Sequence, residues 1–321
     1  MKTNQVIQQN EVNIKLSKEF LKIQRRKRFK QNIPLIIMFT PIILYYLIFK
    51  YIPMGGLIIA FKDYNFADGM LGSPWVGLKQ FRLLFGSPQT LNIIRNTFVL
   101  SIIKLVVGFP VPIILALLLN EVHKKWFKKT VQTIVYLPHF FSWVIIGGMV
   151  ATIFSQNSSF INSIIAKING QPFPFMYKPL SWISIFVGTG IWKESGFGTI
   201  IYLAALTSVD ANLYEAAAID GANKWKQTLN ITIPAIIPTI AIVFILQIGS
   251  VMSIGFEPIF VLQNPAVYEV SDVISTYIYR IGLLGGRFSI TTAMGLFDSL
   301  VGLVLVVSAN RIARKFGQEL W

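Results

Sequence analysis

The sequence predicts an all-α membrane protein with six transmembrane helices and both termini in the cytoplasm, and three observations support this prediction. Hydrophobic residues fill 54% of the 321 positions, whereas charged residues fill 13%, about half of the share usual in soluble domains. The apolar residues collect in six long runs, and a helix needs about 20 such residues to cross a bilayer. The 29 Lys and Arg residues outnumber the 14 Asp and Glu residues and are unevenly distributed between the runs.

Each apolar run is long enough to cross the hydrocarbon core as a helix that satisfies its own backbone hydrogen bonds. The first run follows a basic region, as a signal peptide would, but no small-residue cleavage pattern comes after it, so we interpret it as a retained anchor. The apolar stretch 51–61 contains Pro53 and two glycines, which favours a kinked continuation or an interfacial segment over a seventh span. The predicted spans are Ile33–Phe49, Leu91–Leu119, Val131–Phe154, Leu180–Leu206, Ile231–Ile254 and Ile290–Ala309.

Basic residues between the spans predict the orientation, because Lys and Arg near a span are retained on the cytoplasmic side. Eighteen of them lie in the segments 1–32, 120–130, 207–230 and 310–321, and seven lie in 61–90, 155–179 and 255–289. The first set is therefore predicted to be cytoplasmic, which also favours an even number of spans. We interpret the basic tail as a topology determinant that contacts anionic membrane lipid. A nucleic-acid site is not expected, because the tail lacks interleaved aromatic residues for base stacking.

Patterns that would indicate catalysis or cofactor binding are missing from the sequence. The chain has no Cys, and neither His123 nor His139 has a neighbouring metal-ligand pattern. No phosphate-binding loop of the form G-x-x-x-x-G-K-[ST] occurs, so ATP and Mg²⁺ are expected on a partner chain if ATP drives the protein. Two alternatives stay open here. A membrane enzyme acting on lipid or cell-wall precursors would have to use the external Glu257, Glu269 and Asp272 without a His partner, and an ion-coupled secondary transporter usually shows internal repeats that we do not find.

The predicted cytoplasmic loop Ser208–Pro234 between the fourth and fifth spans contains a short helix. Asp210 is a suitable N-cap and Gly221 a suitable stop. Leu213, Ala216 and Ala217 share one small apolar face, while Glu215 points elsewhere. A helix this short is marginal by itself, so we expect packing to stabilise it. These residues fit both docking into a partner's groove and a plain surface connector.

The run EAAAIDGA at Glu215–Ala222, followed by Ile231, Ile233 and Pro234, resembles the EAA loop of permease subunits of bacterial ATP-binding cassette (ABC) importers. The pattern of that loop is E-A-A, a Gly four residues later and I-x-L-P after a nine-residue gap, and Ile233 stands in place of the usual Leu. The Asp-Gly-Ala at 220–222 resembles the carbohydrate-uptake branch. Three more segments resemble maltose-permease relatives that handle complex oligosaccharides and polysaccharide fragments: Lys50–Phe66, Asn264–Leu283 and Gly295–Gly317.

This resemblance implies a subunit of an ATP-driven, binding-protein-dependent oligosaccharide importer in the bacterial plasma membrane. It implies pairing with a second homologous permease, two cytoplasmic ATPase subunits that dock on the EAA loops, and an extracellular solute-binding protein that delivers the sugar. In that scheme the coupling helix and its turn comprise Glu215, Ala216, Ala217, Asp220 and Gly221, and a rigid span beginning at Pro234 transmits the motion. The predicted organisation is a basic tail (1–32), the first span with an extracellular segment (33–90), the permease core (91–309) and a C-terminal tail (310–321).

Polar side chains inside the spans are costly in hydrocarbon, so they are candidates for contact with a transported substrate. Aromatic rings beside polar groups suit sugar faces, and we predict a substrate path that includes Trp192, Gln247 and Asp298. Lys193 and Glu194 are interpreted as an internal ion pair or as a helix break, because Ser and Gly residues follow them. The polar candidates are Asn96, Lys104, Lys193, Glu194, Gln247 and Asp298.

Overall fold

The computed structural model describes residue 27 and residues 31–156, 159–252, 254–315 and 317, so most of the predicted tail 1–32 and the end of the tail 310–321 lie outside the described residues. The described residues are almost entirely helical, which confirms the predicted all-α class. The extended pairing among them is one antiparallel bridge between Lys62 and Trp75. The chain forms two compact units, Met1–Ile58 and Ile59–Trp321.

The longer helices are labelled in chain order. They are α1 (Gln31–Phe61), α2 (Lys79–Gly86), α3 (Pro88–Asn120), α4 (Lys125–Tyr136), α5 (Trp143–Ile153), α6 (Phe160–Asn169), α7 (Pro179–Thr207), α8 (Ala211–Ile219), α9 (Lys224–Gly249), α10 (Phe256–Leu262) and α11 (Phe288–Arg314). Shorter helical turns lie at Gly69–Gly72, Leu137–Phe140, Phe175–Tyr177, Pro265–Val267, Tyr268–Ser271, Ile274–Tyr277 and Ile278–Leu284.

Four of these helices, α1, α3, α9 and α11, are long and apolar enough to cross a membrane, judged over the described residues. Helix α7 contains the predicted span Leu180–Leu206, and its 29 residues extend about 44 Å, which exceeds the roughly 30 Å of a hydrocarbon core. It is nevertheless not among the four helices that qualify by length and composition. The count of six spans therefore stays a prediction.

Helix α1 extends well beyond the predicted end of the first span at Phe49. It widens to a π turn at Leu47–Tyr51 and tightens to a 3₁₀ helix at Gly55–Phe61. Pro53 lacks a backbone N–H and cannot continue a regular α-helical ladder, which explains a change of pitch at this position. The stretch 51–61 is thus a helical continuation, one of the two expected possibilities.

The predicted third span, Val131–Phe154, is not one continuous helix. Helix α4 runs into a 3₁₀ turn at Leu137–Phe140, and α5 then leaves at 103° to it. Pro138 has no backbone N–H to continue α4. Ser142 starts a new helix, because its hydroxyl accepts the backbone N–H of Ile145 at 3.3 Å. The sequence pattern of apolar residues alone did not reveal this interruption.

Helix α7 is the central element of the second unit. Its Trp182 is fully buried, stacks on Phe186 with ring centroids 5.3 Å apart, and donates its indole N–H to the Leu262 carbonyl of α10 at 2.8 Å. Further along α7, a Cβ added to Gly196 would lie 2.0 Å from the carbonyl oxygen of Val135. Only Gly permits this approach of α4, so α7 is tied to α10 at one end and to the broken span in its middle.

Residues 59–90 belong to the same compact unit as the predicted core 91–309. Ala60 and Leu84 are buried in one apolar cluster with Ile93 of α3 and Met294 of α11. A hydrogen bond from the Tyr64 backbone N–H to the Ser289 hydroxyl, 2.8 Å long, joins the same parts of the chain. Another apolar cluster, near the loop that carries α8, joins α3, α7 and α9. It contains Ala116, Tyr202, Leu206 and Ile236.

Candidate functional site

The loop between α7 and α9 folds into the short helix α8, with both ends where the sequence predicts them. Asp210 caps the start, because its carboxylate accepts the backbone N–H of Asn212 at 2.9 Å. At the end, Gly221 has a φ of +74°, and its N–H donates to the Ala218 carbonyl at 3.1 Å. This left-handed conformation is available to Gly without steric penalty, and it stops the helix.

Helix α8 presents most of its side chains to the surroundings. Glu215 and Ala216 are exposed, Ala217 is half-buried, and Leu213 is 51% exposed, so the predicted apolar face is not covered by this chain. Ile219 is 88% exposed and was missing from the predicted face. The available signal was its position as the last apolar residue before the helix stop. An apolar side chain this exposed beside a formed helix suits contact with another protein.

The junction between α8 and α9 differs from the prediction. The Tyr214 hydroxyl lies 3.0 Å from the Thr232 hydroxyl and links the two helices directly. The helix that follows begins at Lys224 and not at Pro234, which lies inside it. A π turn at Thr228–Thr232 precedes Pro234 and gives the wider spacing that a residue without an N–H needs. The helix that was predicted to begin at Pro234 therefore begins ten residues earlier.

Lys193 of α7 donates hydrogen bonds to backbone carbonyls at the break in the third span. Its Nζ donates to the carbonyls of His139 and Phe141, each at 2.7 Å, and the residue is only 6% exposed. These carbonyls lie where α4 has ended and α5 has not begun, so they lack intrahelical partners. The helix break predicted at Lys193 and Glu194 is wrong, because the break lies in the third span, which packs against α7. The alternative prediction, an ion pair, agrees with the 4.0 Å between the Lys193 ammonium and the Glu194 carboxylate. Helix α7 itself runs unbroken through both residues.

Glu194 faces the same break. One carboxylate oxygen lies 3.1 Å from Nδ1 of His139, and the other lies 4.0 Å from the Lys193 ammonium. The His139 ring stacks on Phe197 with centroids 4.1 Å apart and planes 6° apart. Stacking and the carboxylate contact together fix the imidazole orientation. Sequence reasoning missed His139 because it lies 55 residues from Glu194 on a different element. It missed Phe197, three residues after Glu194 on α7, because the ring is recognised as part of the cluster only through its stacking on His139.

A polar cavity of about 330 Å³ opens between α3, α7 and the end of α9. Lys104 of α3 and Glu194 of α7 line it, and Gln247 supplies an amide. Hydroxyl groups complete the polar part of the wall at Ser101, Ser195 and Ser250. Charged and amide groups at the depth of apolar spans are expensive there, which makes this cavity the candidate path for a polar solute.

Of the three acidic residues considered for an enzyme, Asp272 is engaged in structural contacts through its side chain. Asp272 is buried and pairs with Arg280 through two hydrogen bonds, of 3.1 and 2.5 Å. These hydrogen bonds raise the pKa of Arg280. Asn96 donates to the backbone carbonyls of Glu269 at 2.7 Å and Asp272 at 3.2 Å, so it holds this segment on α3. In the described part of the chain, no three His, Cys, Asp or Glu side chains are grouped to hold a metal ion.

Comparison with known proteins decides between the interpretations left open. Residues 108–318 match the family described as the inner membrane component of binding-protein-dependent transport systems. The chain belongs to this family. As a permease it is 45% identical, over 302 residues, to the polygalacturonan/rhamnogalacturonan transport system permease protein YteP of Bacillus subtilis (strain 168), covering 93% of this chain and 94% of the relative. It is 43% identical over 285 residues to protein LplB of the same organism, covering 89% of this chain and 90% of that relative.

Solved structures agree with these relatives. A crystal structure of a bacterial ABC transporter involved in the import of the acidic polysaccharide alginate matches the permease with a TM-score of 0.84 and 44% identity, over 90% of this chain and 98% of that one. A second alginate transporter structure is in complex with an alginate pentasaccharide-bound periplasmic protein. It matches with a TM-score of 0.84 and 43% identity, over 91% of this chain and 98% of that one. The predicted ABC permease, its place in the inner membrane and its role as a transporter subunit rather than an enzyme are confirmed.

The permease does not bring its predicted substrate-path residues into one cavity. Gln247 lines the polar cavity, whereas Trp192 lines an apolar cavity of about 840 Å³ with Phe154, Phe175 and other apolar side chains. Asp298 of α11 lines neither, and within the described residues its Oδ1 is buried without a hydrogen-bond partner. Trp192 and Glu194 are close in sequence but project from different faces of α7, which periodicity along a continuous helix explains.

Proposed function

We propose that this permease forms part of the membrane path of an ATP-driven importer that carries oligosaccharides or polysaccharide fragments into the cytoplasm. The observation that carries the proposal is α8, a formed and exposed helix with the E-A-A and Gly pattern of ABC importers. The sugar class is supported by the relatives, whose names refer to polygalacturonan, rhamnogalacturonan and alginate.

The partners follow from the same proposal. A second homologous permease completes the path, two cytoplasmic ATPase subunits hold ATP and Mg²⁺, and an extracellular solute-binding protein delivers the sugar. The periplasmic protein in the alginate transporter complex supports a binding-protein partner.

In the proposed coupling step, α8 lies in a groove of an ATPase subunit. Ala216 and Ala217 are small enough for close approach, and Glu215 and Asp220 are exposed for polar contacts at its edges. Gly221 fixes the turn through which α8 leads back to the membrane. Closure of the ATPase pair displaces α8, and the Tyr214–Thr232 contact passes the displacement to α9 and its Pro234.

The polar cavity is the proposed solute path through this subunit. Gln247 has support from its place in the cavity wall, where its amide can donate to and accept from sugar hydroxyls. Trp192 and Asp298 do not line that cavity, so their contact with substrate stays a prediction. Alanine substitution of each residue, followed by measurement of sugar uptake, shows which of the three contact the substrate.

The decisive experiment is purification of the transporter from cells that express the permease with its neighbouring genes. We expect co-isolation with an ATPase chain and ATP hydrolysis that rises when the sugar-loaded binding protein is added to proteoliposomes. In cells, depletion of ATP should stop uptake even when the ion gradient is maintained. Uptake that stops with an uncoupler but continues after ATP depletion would instead identify a secondary carrier.

A further inference from the structure

The polar cavity contains two charged side chains of opposite sign, but their charges do not simply cancel. Lys104 enters from α3 and Glu194 from α7. The Lys104 ammonium forms no hydrogen bond, and no ion pair within 4.0 Å, among the described residues. An ammonium group carries three donors, and an unsatisfied cation in a membrane span is costly. Lys104 therefore has binding capacity that this chain does not use.

The Glu194 carboxylate also contacts two side chains that do not line the cavity. Its carboxylate lies 3.1 Å from the His139 imidazole and 4.0 Å from the Lys193 ammonium. Lys193 is held in place by two carbonyls at 2.7 Å, so it remains beside Glu194. One carboxylate thus lies near two lysines, Lys104 and Lys193, and cannot pair with both at once. The surplus cation is the one that opens into the cavity.

We propose that Lys104 binds a carboxylate of the substrate as it crosses the membrane, so that the permease favours oligosaccharides made of uronic-acid units. This inference rests on the proposed function and narrows it to acidic sugars. The neighbouring Gln247, Ser101 and Ser250 are suited to sugar hydroxyls, which an acidic sugar carries beside its carboxylate. The relatives named for polygalacturonan and for the acidic polysaccharide alginate are consistent with that class.

A single surplus cation suits transport better than a cluster would. A site in a transport path must bind strongly enough for the solute to enter and weakly enough for it to leave. At about 330 Å³ the cavity lies at the small end of ligand sites, which span roughly 300–1,000 Å³, so it accommodates a short part of a sugar chain at a time. Successive carboxylates then pass the same lysine one after another.

The test compares trigalacturonate with its fully methyl-esterified form, which has the same sugar chain but carries no carboxylate charge. The complete transporter, with its ATPase and binding protein, is reconstituted in proteoliposomes, and ATP-dependent uptake of each probe is measured. Variants are Lys104→Met, which removes the charge, and Lys104→Arg, which keeps it. Lys79→Met serves as the matched control, because Lys79 is 54% exposed and pairs with Asp63 on another part of the chain.

We expect Lys104→Met to lower uptake of trigalacturonate by about ten- to a hundredfold relative to the ester, the effect of losing one charged hydrogen bond. Lys104→Arg should retain most of the preference, and Lys79→Met should retain all of it. Equal loss for both probes, or no loss for trigalacturonate, overturns the inference. If Lys104→Met does not reach the membrane, the Arg variant decides, because loss of the charge preference in it also contradicts a carboxylate contact.

The wild-type transporter separates this inference from the proposed function. ATP-dependent uptake of the ester without preference for trigalacturonate would leave sugar import intact and reject the role of Lys104. ATP-independent uptake of both probes would reject the proposed importer mechanism. Uptake of neither would reject acidic sugars of this kind as the substrate class, and the inference with them.

Discussion

The loop around α8 and the break between α4 and α5 both interrupt the pattern of membrane-spanning helices, but they are stabilised in opposite ways. The ends of α8 are held by hydrogen bonds between residues two and three positions apart, at Asp210 and Gly221. The break is held by Lys193, which lies 54 and 52 residues from the carbonyls that it binds. One region is exposed and locally determined, whereas the other is buried and depends on tertiary structure.

This difference separates two mechanical roles. A locally determined, exposed helix can change its surroundings without disturbing the core, as an element that docks on a moving partner must. A break that is fixed by a buried lysine can change only if α7 moves together with α4 and α5. Substitutions in the first region should therefore affect coupling, and those in the second should affect stability as well.

The largest effect is expected from Gly221→Val, which tests the local region. Valine at a φ of +74° costs about 1–2 kcal/mol, and the nine-residue α8 is too short to absorb that strain. No atom lies within 4 Å of a Cβ built on Gly221, so the backbone conformation and not a clash is the cause. We expect uptake to fall about tenfold or more, while the permease stays in the membrane and ATP hydrolysis by the complex continues.

Gly286→Val is the matched control for Gly221→Val. Gly286 also has a positive φ, +67°, and open space around a built Cβ, but it precedes α11, far along the chain from the loop that carries α8. Its substitution should cost similar strain without uncoupling ATP hydrolysis from uptake. Normal uptake by Gly221→Val, or the same uncoupling in both variants, would contradict a coupling role for the α8 turn.

The same contrast explains how much was predictable from sequence. The helical class, the limits of α8 and its capping by Asp210 depend on residues a few positions apart, and the sequence predicts them correctly. The role of Lys193 depends on which helix packs against α7, and no local pattern contains that information. The close approach of Val135 to Gly196 is likewise invisible until α4 and α7 are placed together.

The candidate path shows the same limit. Gln247 and Trp192 were grouped because both combine with polar neighbours in apolar spans, but they line separate cavities. Which residues face one cavity depends on helix rotation and on the 103° bend of the third span, and an apolar run fixes neither. The apolar pattern also did not reveal that the helix of the fifth span begins before Ile231, since Lys224–Gln227 contains two Lys and a Gln yet is helical.

The second prediction tests the buried region through Lys193→Met. Removing the ammonium leaves the His139 and Phe141 carbonyls without their donor, and unsatisfied buried groups cost about 1–3 kcal/mol. We expect a lower thermal unfolding midpoint of the detergent-purified transporter together with reduced uptake. Lys178→Met is the control, because among the described residues the Lys178 ammonium has one recorded contact, the Phe173 ring, 4.6 Å from its centroid. An unfolding midpoint that falls equally in both variants, or in neither, would show that Lys193 does not hold the break.

The smallest effect is expected from Ile219→Ser, which leaves α8 formed and removes an apolar contact. Ile219 is 88% exposed, so the substitution should not change the unfolding midpoint of the permease. Burial of an isoleucine in a partner's groove contributes about 1.5–3 kcal/mol, and its loss should weaken co-isolation with the ATPase by roughly tenfold. Ile168→Ser is the control, because Ile168 is 76% exposed but lies on α6, away from the cytoplasmic loop. Unchanged co-isolation of Ile219→Ser would place the docking contact on Leu213 and Ala216 alone, whereas equal weakening by both substitutions would remove α8 as the docking element.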